Sequence, residues 1–327
     1  MLKGQILCTP KELDLGITLN GGQSFRWLPT DDRKQYRGVF KEYVWTLSQD
    51  EAYLHYAVHN PSNKGTNYVS ILSNYFRLDT SLEKNLKKWR SSDSNFQKLC
   101  ENIAGVRILD QDVVENLFSF ICSSNNNINR ISGMIEKLCR FFGEKLCDID
   151  GIEYFNFPSI KALMEPEVEG TLRKQGFGYR AAYVANTAKH LDKLGGRSWL
   201  LELHKDNNAT YQEARAKLMT LPGVGPKVAD CICLMSLGHL EAIPVDTHIF
   251  QIAQKYYMPQ LVKQKTVTPK IHGEVSEHLR ELWGPLAGWA QAVVFCAKIN
   301  NSDITLKNRK RPKPDNSKTQ SNSKKKQ

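Results

Sequence analysis

Leu221-Pro222-Gly223-Val224-Gly225-Pro226-Lys227 runs into the apolar segment 228–237, and Ile243-Pro244-Val245-Asp246-Thr247-His248 follows shortly after. Two glycines permit positive φ or close backbone approach, and Pro226 is suited to the first position of a new helix. With a helical period over 210–219 before it, the stretch predicts two helices joined by a tight hairpin. Such a hairpin turns backbone N–H groups and a helix N-terminus outward, a geometry that suits a phosphate but also serves as a plain connection.

Lys227 falls in the first turn of a helix whose following residues are apolar nearly all round. Dipole and desolvation there both disfavour the charged amine, and a neutral amine can be a nucleophile. The lysine could equally reach solvent or pair with Asp230 at i+3. Asp246 stands as the N-cap of a helix beginning at Thr247, and a capping carboxylate is held rigidly enough to face a developing cation as well. His248, taken alone, is an ordinary polar residue.

Working outward, residues 1 to about 60 carry β-branched and aromatic runs at 23–27, 36–40, 43–47 and 52–56, separated by turn residues such as Asn20-Gly21-Gly22 and Asp31-Asp32, which predicts antiparallel strands. Helical periods then occupy 67–76, 81–90, 94–104, 111–123, 127–142, 158–174, 180–193, 196–204, 210–219, 226–237, 247–257, 270–283 and 287–299. The predicted class is α+β, mainly α: an N-terminal antiparallel sheet domain over 1–105, and a helical domain over 106–300. The latter forms two lobes and contains the hairpin at about 210–237.

The net charge of +11 is concentrated at one end. Nine Lys or Arg against one Asp in 307–327 give +8, leaving +3 for the first 306 residues. With no apolar residue after Leu306, the segment 301–327 is expected to be a disordered basic tail. It reads as a nuclear localisation signal, a nonspecific phosphate-binding arm or a solubilising tail. No run approaches the ~18 apolar residues of a membrane span. The N-terminus has neither a secretory apolar region nor early arginines, so it gives no support to a mitochondrial pool. The eight cysteines, at 8, 100, 122, 139, 147, 231, 233 and 296, form no Cys-x-x-Cys pair, which suits reduced core thiols rather than a zinc or iron–sulfur site.

The hairpin with Lys227, followed by Asp246 nineteen residues later, resembles the signature of the helix-hairpin-helix superfamily of base-excision DNA glycosylases. Gly22-Gln23-Ser24-Phe25-Arg26-Trp27, Ser123-Ser124-Asn125-Asn126-Asn127-Ile128-Asn129-Arg130, Gly178-Tyr179-Arg180 and Gly288-Trp289-Ala290-Gln291-Ala292-Val293-Val294-Phe295 narrow it. Over roughly 10–299 the chain resembles the 8-oxoguanine DNA glycosylases of the eukaryotic type.

That resemblance implies a monomeric bifunctional enzyme on double-stranded DNA that removes 8-oxoguanine opposite cytosine, with no cofactor needed for catalysis. It makes Lys227 the nucleophile that forms a Schiff base at the sugar, and Asp246 the stabiliser of oxocarbenium charge. Acting on a base in a duplex requires flipping it out. The implied base pocket comprises the Gly22 carbonyl, Cys231, Gln291, Phe295, Pro244 and Met235. Asn125, Arg130, Tyr179 and Arg180 would hold the estranged cytosine and wedge the stack, while His248, Gly223 and Gly225 would meet phosphate. The carbonyls of Met219, Leu221 and Val224 could hold a structural cation. Lys298 departs from the acidic residue that relatives of the animal enzyme carry, which alters the surroundings expected of His248. The competing readings are a glycosylase for alkylated bases and a noncatalytic helix-hairpin-helix DNA-binding protein.

Overall fold

A computed structural model describes residues 1–30, 34–61 and 65–301. The turn at Asp31-Asp32 and the basic tail therefore lie outside the described residues, apart from Asn301 at the end of the last helix.

The chain opens with β1 (Leu2–Leu7), the short helix α1 (Leu15–Asn20), β2 (Leu28–Pro29), β3 (Tyr36–Phe40), β4 (Tyr43–Gln49) and β5 (Tyr53–Val58). These strands make one antiparallel sheet in the order β1-β5-β4-β3-β2. Alternation in β5 sends Leu54, Tyr56 and Val58 inward, onto a core that also takes Trp27, Trp45 and Leu47. The strand expected at 23–27 is absent. Gln23 instead donates to the Arg107 carbonyl at 2.7 Å and accepts from Leu109 N at 3.0 Å. One side chain thus does for the 107–109 backbone what a neighbouring strand would do. Phe25 and Trp27 are buried anchors, and Trp27 Nε1 donates to the Tyr75 hydroxyl at 2.8 Å.

Helices α2 (Tyr68–Tyr75), α3 (Leu82–Ser92), α4 (Ser94–Leu99), α5 (Val113–Ser123) and α6 (Ile128–Phe142) start at side-chain caps from Asn67, Ser81, Asp93, Asp112 and Asn127. A hairpin not expected from the sequence follows, β6 (Lys145–Ile149) and β7 (Ile152–Phe155), turning on Asp150 and Gly151, both at positive φ. Its Tyr154 packs on Val39 and Val44 of the first sheet. The helix predicted over 158–174 is confined to α7 (Val168–Lys174), after a single 3-10 turn at 162–164. Glu165, which precedes Pro166, has ψ 143, the extended geometry that proline imposes on its predecessor.

The remaining helices are α8 (Arg180–Leu194), α9 (Arg197–Glu202), α10 (Tyr211–Leu218), α11 (Pro226–Ser236), α12 (Thr247–Ile252), α13 (Pro269–Trp283) and α14 (Ala287–Asn301). The helix expected over 247–257 changes pitch at Ala253 into a π-helical turn, where Met258 N donates to the Ala253 carbonyl at 2.7 Å. Every side chain of α11 from Val228 to Ser236 is buried. Among the described residues no helix is long and apolar enough to cross a membrane.

Gly288 sets how closely α14 approaches α11. Its N–H donates to the Leu240 carbonyl at 2.9 Å, and an added Cβ would lie 2.2 Å from the Ala242 carbonyl and 2.6 Å from Leu234 Cδ1. Gly288→Ala should therefore force α14 outward and cost about 1–3 kcal/mol in a denaturant melt.

Candidate active site

The first turn of α11, the loop before α12 and the inner face of α14 converge on a cleft open to solvent, about 500 Å³ counted to its mouth. Each position that the resemblance assigns to catalysis or to the base pocket lies on its wall. Lys227, Cys231 and Met235 come from α11, Pro244 and Asp246 from the loop, Gln291 and Phe295 from α14, and Gly22 from the N-terminal segment. Gln111 ties that segment to α11, its N–H bonding the Met235 carbonyl at 2.8 Å and its Nε2 the Gln23 carbonyl at 3.0 Å.

Lys227 Nζ donates to Ser123 Oγ at 3.2 Å and lies 4.7 Å from the centroid of the Phe120 ring. Ser123 in turn donates to the Phe120 carbonyl at 2.7 Å, which leaves its oxygen free to accept from the amine. Neither Ser123 nor Phe120 was assigned a role from the sequence. They lie over a hundred residues from Lys227, and no local pattern announces the contact. The alternative partner, Asp230, is buried on another side of α11, where it accepts from the Tyr211 hydroxyl at 2.7 Å and Arg215 Nε at 2.8 Å.

Asp246 caps α12, with Oδ1 accepting from Ile249 N at 2.8 Å. Its Oδ2 makes no hydrogen bond among the described residues, and the residue lines both the cleft and a second concavity. That neighbour is lined by Asn125, Gly225, His248 and His272, and shares Lys227 and Asp246 with the first. Gln291 is only 6% exposed, yet its carboxamide has no hydrogen-bond partner among the described residues. The residue lines the cleft, so those polar atoms are open to a group that enters it. Burial pushes the Cys231 thiol up to about 12, against the pull of nearby Lys227. Cys231 is thus an uncharged, polarisable wall of the cleft at neutral pH.

In the hairpin, Gly223 has φ +78 and an added Cβ would lie 2.7 Å from the Tyr183 ring. Open space lies around Gly225. The N–H groups of Gly223, Gly225 and Lys227 find no acceptor among the described residues. The Leu221 carbonyl accepts from Val224 N at 3.1 Å. Thr187 Oγ1 donates to the Pro222 carbonyl at 2.6 Å and ties the hairpin to α8.

Tyr179 and Arg180 open that same α8. Tyr179 is 48% exposed and stands edge-on to Tyr183 at 5.9 Å. The Arg180 guanidinium is 4.6 Å from the Tyr179 ring and bonds the carbonyls of Ser124 and Asn125, holding Asn125 at φ +47. Arg130 donates to the Gly176 carbonyl at 3.2 Å. His248 meets the Phe295 ring edge-on at 5.8 Å. Lys298 reaches the His248 carbonyl at 3.5 Å and Gln251 Oε1 at 2.7 Å. Burial lowers the pKa of Lys298 while the charge of Asp246 opposes that shift. Among the described residues no group of three or more His, Cys, Asp or Glu side chains is placed to hold a metal ion.

Comparison with known proteins gives a consistent picture. Residues 5–117 match the 8-oxoguanine DNA glycosylase N-terminal domain, and residues 118–285 match the HhH-GPD superfamily of base excision DNA repair proteins. The chain is 41% identical over 309 residues to the N-glycosylase/DNA lyase OGG1 of Arabidopsis thaliana, covering 93% of this chain and 82% of that relative. It is 38% identical to the N-glycosylase/DNA lyase of Saccharomyces cerevisiae, covering 91% and 87%. The 8-oxoguanine glycosylase/lyase of Clostridium acetobutylicum, solved with double-stranded DNA containing cytosine opposite 8-oxoguanine, superposes with a TM-score of 0.76 at 28% identity, covering 89% of this chain and 93% of that one.

A thiol held as neutral as Cys231 alkylates slowly. Iodoacetamide at pH 8, followed by peptide mass spectrometry, should label half-buried Cys147 well before Cys231, and the order should collapse once the chain is unfolded.

Proposed function

The chain belongs to the 8-oxoguanine DNA glycosylase family of helix-hairpin-helix base-excision repair proteins, and from that membership we propose that Lys227 and Asp246 carry its chemistry. It is a DNA N-glycosylase and DNA lyase that acts on 8-oxoguanine in double-stranded DNA. The observation that carries the assignment of residues is the meeting of Lys227, Asp246, Gly22, Gln291 and Phe295 on one cleft.

In the proposed reaction the flipped nucleoside enters that cleft and the Lys227 amine attacks the sugar C1′. The N–C bond forms as the glycosidic bond breaks, and the departing base takes the bonding pair. The unpaired Oδ2 of Asp246 stabilises the positive charge that builds on the sugar. One proton of the bonded amine passes to the departing base, and breaking of the C1′–O4′ bond, with O4′ taking a proton from solvent, leaves a protonated Schiff base on Lys227. A proton is then lost from C2′ and the 3′ phosphate departs by β-elimination, which cuts the strand. The Ser123 hydroxyl holds Nζ against the Phe120 ring, so the amine meets C1′ in a fixed geometry.

Specificity follows from the same wall. The carboxamide of Gln291 suits the Watson–Crick edge, with Phe295 and Cys231 against the two faces of the base and Met235 and Pro244 completing the enclosure. The Gly22 carbonyl accepts from the N7–H of oxidised guanine, whereas guanine would present a lone pair there. Tyr179 wedges the stack, and Asn125, Arg130 and Arg180 hold the estranged cytosine. The amides at Gly223 and Gly225, with His248, grip phosphate on the lesion strand. A monovalent or divalent cation on the Met219, Leu221 and Val224 carbonyls would brace the hairpin, and the catalytic steps need no cofactor. The basic segment from Lys307, outside the described residues, suits nuclear residence.

Borohydride reduction during reaction with an 8-oxoguanine:cytosine duplex should yield a covalent adduct, and Lys227→Gln should abolish it. An undiminished adduct in that variant would remove Lys227 from the mechanism. Base release should be faster opposite cytosine than opposite adenine. Asp246→Asn should lower single-turnover excision by roughly 10²–10³ while leaving the thermal midpoint nearly unchanged, because asparagine caps α12 as well as aspartate does. Asp246→Ala should lose about 1 kcal/mol of stability besides.

A further inference from the structure

Behind the cleft lies a buried polar network that joins the two halves of the proposed machinery. Asp230, fully buried on α11 one turn beyond Lys227, accepts from Tyr211 and Arg215 of α10 through Oδ1. Its Oδ2 is 3.2 Å from His272 Nε2 on α13, without hydrogen-bond geometry. The same Nε2 accepts from the backbone N–H of Val245 at 3.3 Å, and Val245 is the residue before Asp246. His272 is 3% exposed, and its Nδ1 has no partner among the described residues although the residue lines the second concavity. Arg280 Nη1 closes the network by donating to the Tyr211 hydroxyl at 3.4 Å and Ser276 Oγ at 2.7 Å.

We propose that His272 is a positioning residue for Asp246: its Nε2 accepts from the Val245 amide, and α13, which carries the ring, packs against α11, the helix that carries Lys227, so one buried imidazole sets the geometry between the two reacting side chains. This rests on the roles assigned above to Lys227 and Asp246. Burial, reinforced by Arg215 and Arg280, pushes His272 down to about 4, so the ring is neutral at neutral pH and Nε2 keeps the lone pair that Val245 needs. Burial raises Asp230 to about 6 against the pull of Arg215. The loop is pinned twice, at Val245 by the imidazole and at Asp246 by its cap on α12. A displacement of about 1 Å between reacting groups can cost up to ~100-fold in rate, so losing one pin should register in the chemical step.

His272→Phe keeps the ring volume and removes the acceptor, whereas His272→Gln places a carboxamide oxygen near the position of Nε2. Single-turnover excision of 8-oxoguanine at saturating enzyme should fall about tenfold or more in His272→Phe and recover most of that loss in His272→Gln. Duplex affinity should stay level in both. On an Asp246→Asn background His272→Phe should add little further loss, because the two act through one carboxylate. A rate loss that simply multiplies on that background, or a loss confined to duplex affinity, would overturn the proposal. Two readouts do not depend on activity. The ¹⁵N shifts of the native His272 ring should report the neutral Nδ1–H tautomer, and the Val245 amide should exchange faster in His272→Phe than in the native chain. An Nε2–H tautomer, or unchanged Val245 exchange, would sink the role of His272 even if borohydride trapping succeeds. A native chain that forms no adduct would sink the role of Lys227 and leave the tautomer and exchange results to decide that of His272.

Discussion

Helix α11 must be buried on every side, and the fold is arranged to meet that demand. From Val228 to Ser236 it presents no side chain to solvent, so α5, α10 and α13 pack around it and Leu234 reaches Gly288 of α14. The one charged side chain in that span, Asp230, costs free energy inside a core unless it is paired, and α10 supplies its partners, Tyr211 and Arg215. Only the N-terminal turn escapes burial. That is where Lys227 sits, at the mouth of the cleft and beside the hairpin glycines.

The N-terminal sheet module meets the helices at the same place. Gln23 and Gln111 fasten the Gly22 segment to the 107–109 strand-like backbone and to the end of α11, so the N-terminal module contributes one wall of a cleft otherwise built by helices. Gly288 lets α14 lie against the loop before α12, which brings Gln291 and Phe295 to face Lys227. Thr187 and Tyr183 couple α8 to the hairpin, so Tyr179 is carried on a helix whose position is fixed by the Pro222-Gly223 turn. The arrangement of the cleft, the hairpin and the Tyr179 end of α8 thus depends on a few close approaches between elements.

Much of this was legible in the sequence because it is local. The helical periods over 111–123, 127–142 and 210–219 and the hairpin glycines announce their helices directly, and the 19-residue separation of Lys227 and Asp246 is a one-dimensional pattern. What was not legible is long-range or competes with a local signal. The aromatic alternation at 23–27 looks like a strand, yet the Gln23 side chain takes over the pairing. The β6–β7 hairpin was hidden because its strands are short and half-exposed, although Asp150-Gly151 marks its turn. Pro166 outweighed the helical period before it. Gly22 and Asn125 were assigned only through the family resemblance, and Ser123 and His272 reach the site across 104 and 27 residues with no spacing rule to reveal them.

The central claim is that one amine, at the single exposed end of a buried helix, makes the covalent bond to DNA. Proteolysis of the borohydride-reduced adduct and mass-spectrometric sequencing of the DNA-linked peptide test it most directly. The account predicts that the sugar remnant is attached at Lys227 and nowhere else. Attachment at another lysine or at the N-terminal amine of Met1 would contradict it.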